Sequence, residues 1–482
     1  MAARERNLAF AAIALFLVLT PVALQPLYSY DFFWHLATGR WIAEHHALPL
    51  TDPFAVASDR TPWINGEWLF QLLLYGVHSI AGLALVAWSR AAIVAAIFAA
   101  GFFFASRDHR TSAALLLTSL AFAGGSARLD ARPGTVAAAL LVCSLALLAR
   151  KSRAATIGYV ALTILWMNVH PSALLAPLFA GAVALFGRDR HDAWIAALAS
   201  TAALLVNPFG VNGVVAPLRL TAFVGSGEFV NAEWLPSPVR LFPILYLTIA
   251  VGLIAFASAR DRRDQLWRLA VFAALAWLAV AHVRNQGLYF AAFPLLISPM
   301  VRRELSRPAL AVMAIVPIAW VVIAFDHSAG VAPHRFPIAA VTRLQQTHLA
   351  GNIYNPDQFG GFLIWSFYPQ RRVLTDGRNE LFHDYIAEYA KARLDSRAWR
   401  ALLGKYRIDL AVDEYRGPLE TIDAVTRQQR FLPASLAYFP RREWALIGYD
   451  DVSMVFARRS AFPQSEIDRW EIRGVVPDAA TR

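Results

Sequence analysis

Charge is scarce in this chain. Of its 482 residues only 16% are Asp, Glu, Lys or Arg, and mean hydropathy is +0.43, where a soluble domain carries roughly 25% charged residues. Hydrophobic residues make up 57% of the sequence. That balance excludes a water-soluble enzyme and leaves a polytopic membrane protein. Cysteine is almost absent as well. Cys143 stands alone inside an apolar run, so no intramolecular disulfide can form and the redox compartment cannot be read from cysteines. No phosphate-binding P-loop, dinucleotide fingerprint, HExxH or GxSxG elbow occurs, which removes the sequence warrant for nucleotide, zinc-peptidase or serine-hydrolase chemistry. There is no low-complexity segment, no convincing repeat and no evident cleavable leader. The first apolar run is too long for a leader's core and reads as an anchor.

What is present is a succession of apolar runs. They fall near 8–25, 82–105, 112–126, 134–149, 155–168, 171–186, 192–206, 241–257, 266–282, 287–300 and 308–325, about eleven spans by the length a bilayer core requires. The net charge of +11 does not point to nucleic acid, because the arginines gather between the runs. Clusters stand at Arg4/Arg6, Arg107/Arg110, Arg150/Lys151/Arg153, Arg188/Arg190, Arg260/Arg262/Arg263 and Arg302/Arg303/Arg307. If the spans alternate, all of these lie on one side. The positive-inside rule makes that side the cytoplasm, with the N terminus inside and the C terminus outside.

Residues 26–81 then form a long outer loop. Within it, "DFFWHLATGRWIAEHH" has few breakers and places Asp31 and His35 four residues apart, on one helical face. Tryptophans at 34, 41, 63 and 68 suit a helix lying at headgroup level. The expected organisation is a transmembrane domain over 1–325, which includes this loop, and an outer α/β domain over 326–482. Charges of both signs become frequent in the second part, and strands are expected near 351–354, 371–375, 408–413, 443–448 and 452–457.

Ionisable residues also crowd the short outer turns. "SARLDARPG" supplies Arg128, Asp130 and Arg132; "WMNVHPS" supplies Asn168 and His170; "AEWLPSP" supplies Glu233; "AHVRNQG" supplies Arg284. Arginine on this side defies the charge bias, and ionisable groups at membrane depth commonly face a cavity or each other. Each has a structural alternative. The 128–132 set could be an ion-paired turn, His170 a satisfied cap, Glu233 an interface anchor beside Trp234, Asp31 a helix cap and Asp52 an Asp-Pro turn. "LTDGRNELF" could bind a partner or merely turn from strand to helix.

Arginines at a membrane surface suit a phosphate or pyrophosphate, which guanidinium pairs bidentately. A nearby carboxylate suits a general base or a ligand for a divalent metal. Together they describe sugar transfer from a lipid-linked phosphate to an external glycan, lipid or protein acceptor. The expected roles are Asp31 as acid/base with His35 on the same face, and Arg128, Arg132 and Arg284 as the donor phosphate clamp. Asp52, Glu67, Asp130, Asn168, His170 and Glu233 would position substrate. Mg²⁺ or Mn²⁺ held by Asp31 and Asp52, with His35 or Glu67, is open. So are a lipid or glycan transporter or flippase and a polysaccharide polymerase or ligase.

The motifs "DFFWHLATGRWI", "TDPF", "PWINGEWL", "WMNVHP", "NPFG", "AEWLPSP" and "LTDGRNELF" resemble those of bacterial membrane proteins grouped with the GT-C superfamily of membrane glycosyltransferases. That superfamily includes protein O-mannosyltransferases, aminoarabinose transferases and oligosaccharyltransferases. The resemblance implies a GT-C-like helical membrane domain with an extracytoplasmic α/β domain and a polyprenyl-phosphate sugar donor. It also implies a catalytic acid at Asp31 in the first outer loop, an inverting displacement, and a place in the bacterial inner membrane. The adjacent acidic pair of the protein mannosyltransferases is missing, since Phe32 follows Asp31, and so is the WWDYG signature of oligosaccharyltransferases.

Overall fold

In the computed structural model, residues 2–107, 111–150, 152–187, 191–225, 232–301, 307–422 and 429–480 are described. Arg110, Lys151, Arg188, Arg190, Arg302 and Arg303 of the basic clusters lie outside them. Every apolar run read from the sequence coincides with helix. The early helices are α1 (Ala2–Ala23), α2 (Phe32–His45), α3 (Trp68–Arg107), α4 (Thr111–Gly125) and α5 (Pro133–Leu148). An unexpected helix, Val211–Gly225, carries Pro217 within it, and that proline with its polar neighbours hid the apolar pattern. By length and composition, three described helices can cross a membrane: Ala3–Ala23, Trp68–Arg107 and Arg262–Ala281. α3 includes a break at Ala81 and Gly82, where Gly82 takes a φ of 68° that side chains rarely tolerate. The span expected from residue 82 therefore begins at a kink, and helix precedes it.

Contacts divide the chain into two compact units. One comprises Met1–Ser29 and Ile64–Val331, the other Tyr30–Trp63 and Ala332–Arg482. Most of the first loop thus belongs with the C-terminal part, whereas the sequence reading had joined it to the membrane helices.

In the first unit the helix Gln286–Ile297 is buried on every face, as a helix that is apolar all round after its first residue must be. The glycines at 124 and 125 let it come close: a Cβ on Gly125 would lie 2.7 Å from that of Phe290. Arg4 donates to the Ser106 carbonyl (3.4 Å), and Arg107 pairs with Glu5 (2.6 Å). The basic clusters at the start of α1 and the end of α3 therefore meet.

In the second unit β1 (Asn352–Tyr354), β2 (Ile408–Glu414), β3 (Leu419–Ile422), β4 (Gln429–Leu432), β5 (Trp444–Tyr449) and β6 (Ser453–Arg458) form two sheets. The larger has the order β1-β2-β6-β5, with β1 parallel to β2 and the other pairs antiparallel; β3 and β4 form a separate pair. The strand expected at 371–375 survives only as bridges, Val373 pairing with both Ile353 and Ala55. Through Val56 N–H to the Val373 carbonyl (2.9 Å) and Ala57 N–H to that of Leu374 (3.2 Å), the first-loop chain extends this sheet. Trp34, Phe54, Ala55 and Trp63 share one hydrophobic core with Leu374, Leu410, Val455 and Phe456. The tryptophans at 34 and 63, expected at headgroup level, are core residues, each stabilising the unit by roughly 1.5–3 kcal/mol.

Candidate functional site

Two polar clusters stand out, one in each unit. The first is built on Arg90, which the sequence reading passed over inside an apolar run. Its buried guanidinium donates to the carbonyls of Leu129 (2.6 Å), Ser126 (2.7 Å) and Ala23, and to Gln25 Oε1 (3.4 Å). An arginine in that setting must be satisfied or expelled. Here it ties the chain leaving α1 to the turn between α4 and α5, and that fixes Tyr28, Ser29, Arg128 and Arg132. Tyr28 donates to the Ala127 carbonyl.

Arg132 donates to Ser29 Oγ and to Glu233 Oε1. Glu233 lies on the turn Ala232–Trp234, which is pinned to the segment before Gln286. His282 Nδ1 meets the Trp234 carbonyl (2.6 Å), Val283 N–H donates to that of Leu235 (3.1 Å), and Gln286 reaches Ser237 Oγ (2.8 Å). Arg284 lies over the Trp234 ring at 4.7 Å and Arg128 over the Phe242 ring at 5.1 Å. Both are exposed, and neither makes an ion pair among the described residues. Burial raises the pKa of Glu233, but Arg132, Arg284 and Arg128, in that order, outweigh it and hold the carboxyl below its ordinary range. The three clamp arginines read from the sequence thus act on one carboxylate. Among the described residues, three guanidiniums act on this one carboxylate, the electrostatics of an anion site.

Asp130 is buried. Its Oδ1 accepts from Ala131 N–H (2.7 Å), while Oδ2 has no hydrogen-bond partner among the described residues. Burial raises its pKa against the pull of Arg90 and Arg132. His170 accepts the Ser172 N–H at Nδ1 (3.1 Å), which assigns its proton to Nε2, 3.9 Å from Glu67 Oε1. Burial, and then Arg284, push its pKa down to about 3, so it is a neutral donor. Asn168 is different. It accepts from Trp68 Nε1 (3.0 Å) and donates to the carbonyls of Ile164 (2.9 Å) and Val206 (2.8 Å). Its side chain is spent on helix ends, so the substrate-positioning reading gives way to a structural one.

The second cluster surrounds Asp31. This residue stands at the N-cap of α2, yet its side chain makes no capping bond and instead accepts from Trp34 Nε1 (3.2 Å). The turn "TDGR" holds it from the other side: a Cβ on Gly377 would sit 2.5 Å from Asp31 Oδ1. That turn is locked by Arg378, whose side chain is 0% exposed. Its guanidinium bonds Asp376 at Nε (2.8 Å) and Nη2 (2.5 Å) and pairs with Asp52 at Nη1 (2.9 Å), 4.5 Å from the Trp63 ring centre. Residues far apart in sequence form this triad, so only the short motifs hinted at it. "LTDGRNELF" is therefore a turn with a task.

Two sequence expectations change here. Asp52 also accepts from Phe54 N–H (3.1 Å), Ala55 N–H (3.2 Å) and the Ser58 hydroxyl, so both its oxygens are engaged and it is a structural residue. His35 is buried with its ring against Trp34 (3.6 Å between centroids), which packs it as core. No group of three or more His, Cys, Asp or Glu among the described residues is arranged to hold a metal ion. The Asp31/Asp52 pairing proposed for Mg²⁺ or Mn²⁺ does not fit, because Asp52 is saturated. Asp357 and Glu380 have raised pKa values, from desolvation first and then in part from the Asp31 carboxylate.

No protein-family model matches the sequence, and no curated protein sequence does either. Solved structures do match in fold. An oligosaccharyltransferase, AglB, from Archaeoglobus fulgidus in complex with an inhibitory peptide and a dolichol-phosphate superposes with a TM-score of 0.63 at 12% identity, over 88% of this chain and 74% of that one. An Archaeoglobus fulgidus oligosaccharyltransferase tethered with an acceptor peptide gives 0.63 at 11% identity over the same shares. ArnT from Cupriavidus metallidurans bound to undecaprenyl phosphate gives 0.57 at 14% identity, over 95% of this chain and 99% of that one. These neighbours are glycosyltransferases of the GT-C superfamily, and the chain shares their fold.

Proposed function

We propose that this protein transfers a sugar from a polyprenyl-phosphate donor to a glycan, lipid or protein acceptor at the outer face of a bacterial inner membrane. The single observation that carries the reading is the arginine cluster: Arg128, Arg132 and Arg284 around Glu233, with the first and third making no ion pair among the described residues. The lipid phosphates bound by the fold's neighbours support it. So does the placement of the remaining acids, which a transporter would want within its helices.

In the proposed reaction Asp31 takes the proton of the acceptor hydroxyl as its oxygen attacks the anomeric carbon from the face opposite the phosphate. The bond from that carbon to the phosphate oxygen breaks, its electron pair stays on the oxygen, and the configuration inverts. Charge on the departing lipid phosphate rises by about one unit and is neutralised by the guanidiniums. His170, neutral with its proton on Nε2, contributes a hydrogen bond without adding charge. The N terminus is cytoplasmic and the Tyr30–Trp63/Ala332–Arg482 unit extracytoplasmic in this reading.

The clamp is tested by donor dependence. In purified protein supplied with a panel of polyprenyl-phosphate sugars, Arg128→Ala and Arg284→Ala are expected each to lower kcat/KM for the donor about tenfold to a hundredfold, one charged hydrogen-bonding group's worth. Undiminished kcat/KM in both variants would remove the clamp.

A further inference from the structure

The partner that Arg132 already has is itself an anion. Its guanidinium bridges Ser29 Oγ and Glu233 Oε1, and Glu233 is the carboxylate on which Arg284 and Arg128 also act. Glu233 therefore occupies the position a phosphate oxygen takes in an arginine clamp. Its side chain is 39% exposed, on a turn of three residues. Among the described residues, the other charges facing the cluster do not compete in the same way. Asp130 is buried and lies against Arg90, Tyr28 donates to a carbonyl, and His170 is neutral with Glu67 beyond it.

We propose that Glu233 is a resident counter-anion, which the phosphate of an isoprenoid lipid displaces from Arg132 and which expels that phosphate on its return. This rests on the clamp reading above. It answers two physical needs. Three arginines left without an anion would repel one another, so the empty site needs neutralising. After transfer the lipid phosphate bears more negative charge than the donor did, so the clamp holds product more strongly than substrate. A carboxylate already tethered beside Arg132 competes at high effective concentration and so restores the neutralised site. Glu233 is thus a positioning and release residue: it touches the clamp, and the acid/base step belongs elsewhere.

The test is titration calorimetry with farnesyl phosphate, farnesol and inorganic phosphate against wild type, Glu233→Gln, Glu233→Ala and Arg132→Ala, with thermal unfolding to confirm folding. An ion pair this exposed offsets binding by about fivefold, so both Glu233 variants are expected to bind farnesyl phosphate about fivefold more tightly. Farnesol affinity should stay unchanged, and Arg132→Ala should bind farnesyl phosphate more weakly. Under turnover the Glu233 variants should show stronger inhibition by added farnesyl phosphate. Inorganic phosphate following the same order places the effect on the phosphate; if farnesol also tightens, the effect lies on the chain and the inference falls. Glu233 variants that bind the phosphate more weakly or unchanged, with Arg132→Ala still impaired, overturn the inference and leave the clamp standing. Farnesyl phosphate bound no better than farnesol by wild type, and equally by Arg132→Ala, overturns both.

Discussion

Replacing Gly377 with alanine probes the proposed catalytic residue without touching it. The added methyl would lie 2.5 Å from Asp31 Oδ1, about 1 Å inside ordinary van der Waals contact. One side has to move. The turn is the stiffer, because Asp376 and Arg378 are closed by bonds of 2.8 and 2.5 Å and anchored to Asp52 at 2.9 Å in a buried setting. The Asp31 carboxylate, which accepts the Trp34 indole N–H at 3.2 Å and stands at a helix N-cap without a capping bond, gives first. Overpacking of this kind costs about 1–3 kcal/mol in stability, and a misplaced reacting group costs about a hundredfold in rate. Gly377→Ala is therefore expected to stay folded while losing about a hundredfold in kcat, with donor KM little changed. Gly404→Ala serves as the control, since nothing lies within 4 Å of its added carbon, and it should be as active as wild type. The assay is release of polyprenyl phosphate alongside thermal unfolding. Full activity in Gly377→Ala would refute the claim that this turn sets the Asp31 carboxylate.

Two further expectations concern stability. Arg378→Met should lose about 3–5 kcal/mol, because it strands Asp52 and Asp376 as buried charges; Arg378→Lys should recover little, lacking the fork that meets Asp376. Denaturant unfolding of the solubilised protein measures both, and a loss under 1 kcal/mol for Arg378→Met would contradict the buried triad. His170 gives a pH signature. Its folded pKa of about 3 lies below the ordinary 6.5, so the native state binds fewer protons between those values. Stability is complete above pH 6.5 and declines as pH falls toward 3, by about 1.4 kcal/mol per unit at most. His170→Gln should flatten that part of the profile, and an unchanged slope would place the acid sensitivity elsewhere.

Which parts of this were legible in sequence follows from the range of the interactions. Apolar runs are local, so each one read from the sequence coincides with helix; what was missed is Val211–Gly225 with its internal proline and the stretch of α3 from Trp68 to the kink at Ala81 and Gly82. The helix at Phe32–His45 was read as a helix, but its environment was not. Tryptophans on an amphipathic segment suit a membrane interface and a protein core equally well, and only the bridging of Ala55 to Val373 shows which applies. Arg128, Arg132 and Arg284 were found as odd charges at helix ends, a signal the membrane itself creates. Their convergence on Glu233 could not be read, since it depends on how the turns pack. Arg90 was readable in principle, as a lone arginine in an apolar run, and was missed because its partners are backbone carbonyls that leave no residue pattern. Asp52 and Asn168 were chosen for their chemistry, yet their side chains are consumed by backbone groups and neighbours. That demand, too, is invisible before the fold is known.

The central claim is sugar transfer from a lipid phosphate with Asp31 as the base. It is tested most directly by one comparison: acceptor-dependent release of free polyprenyl phosphate by purified wild type and by Asp31→Asn, both folded and supplied with lipid. The account predicts release by wild type from at least one donor and a loss of about a thousandfold or more in the variant, the scale of general-base removal. Equal release by the two proteins, or none from any donor by folded wild type, would contradict it.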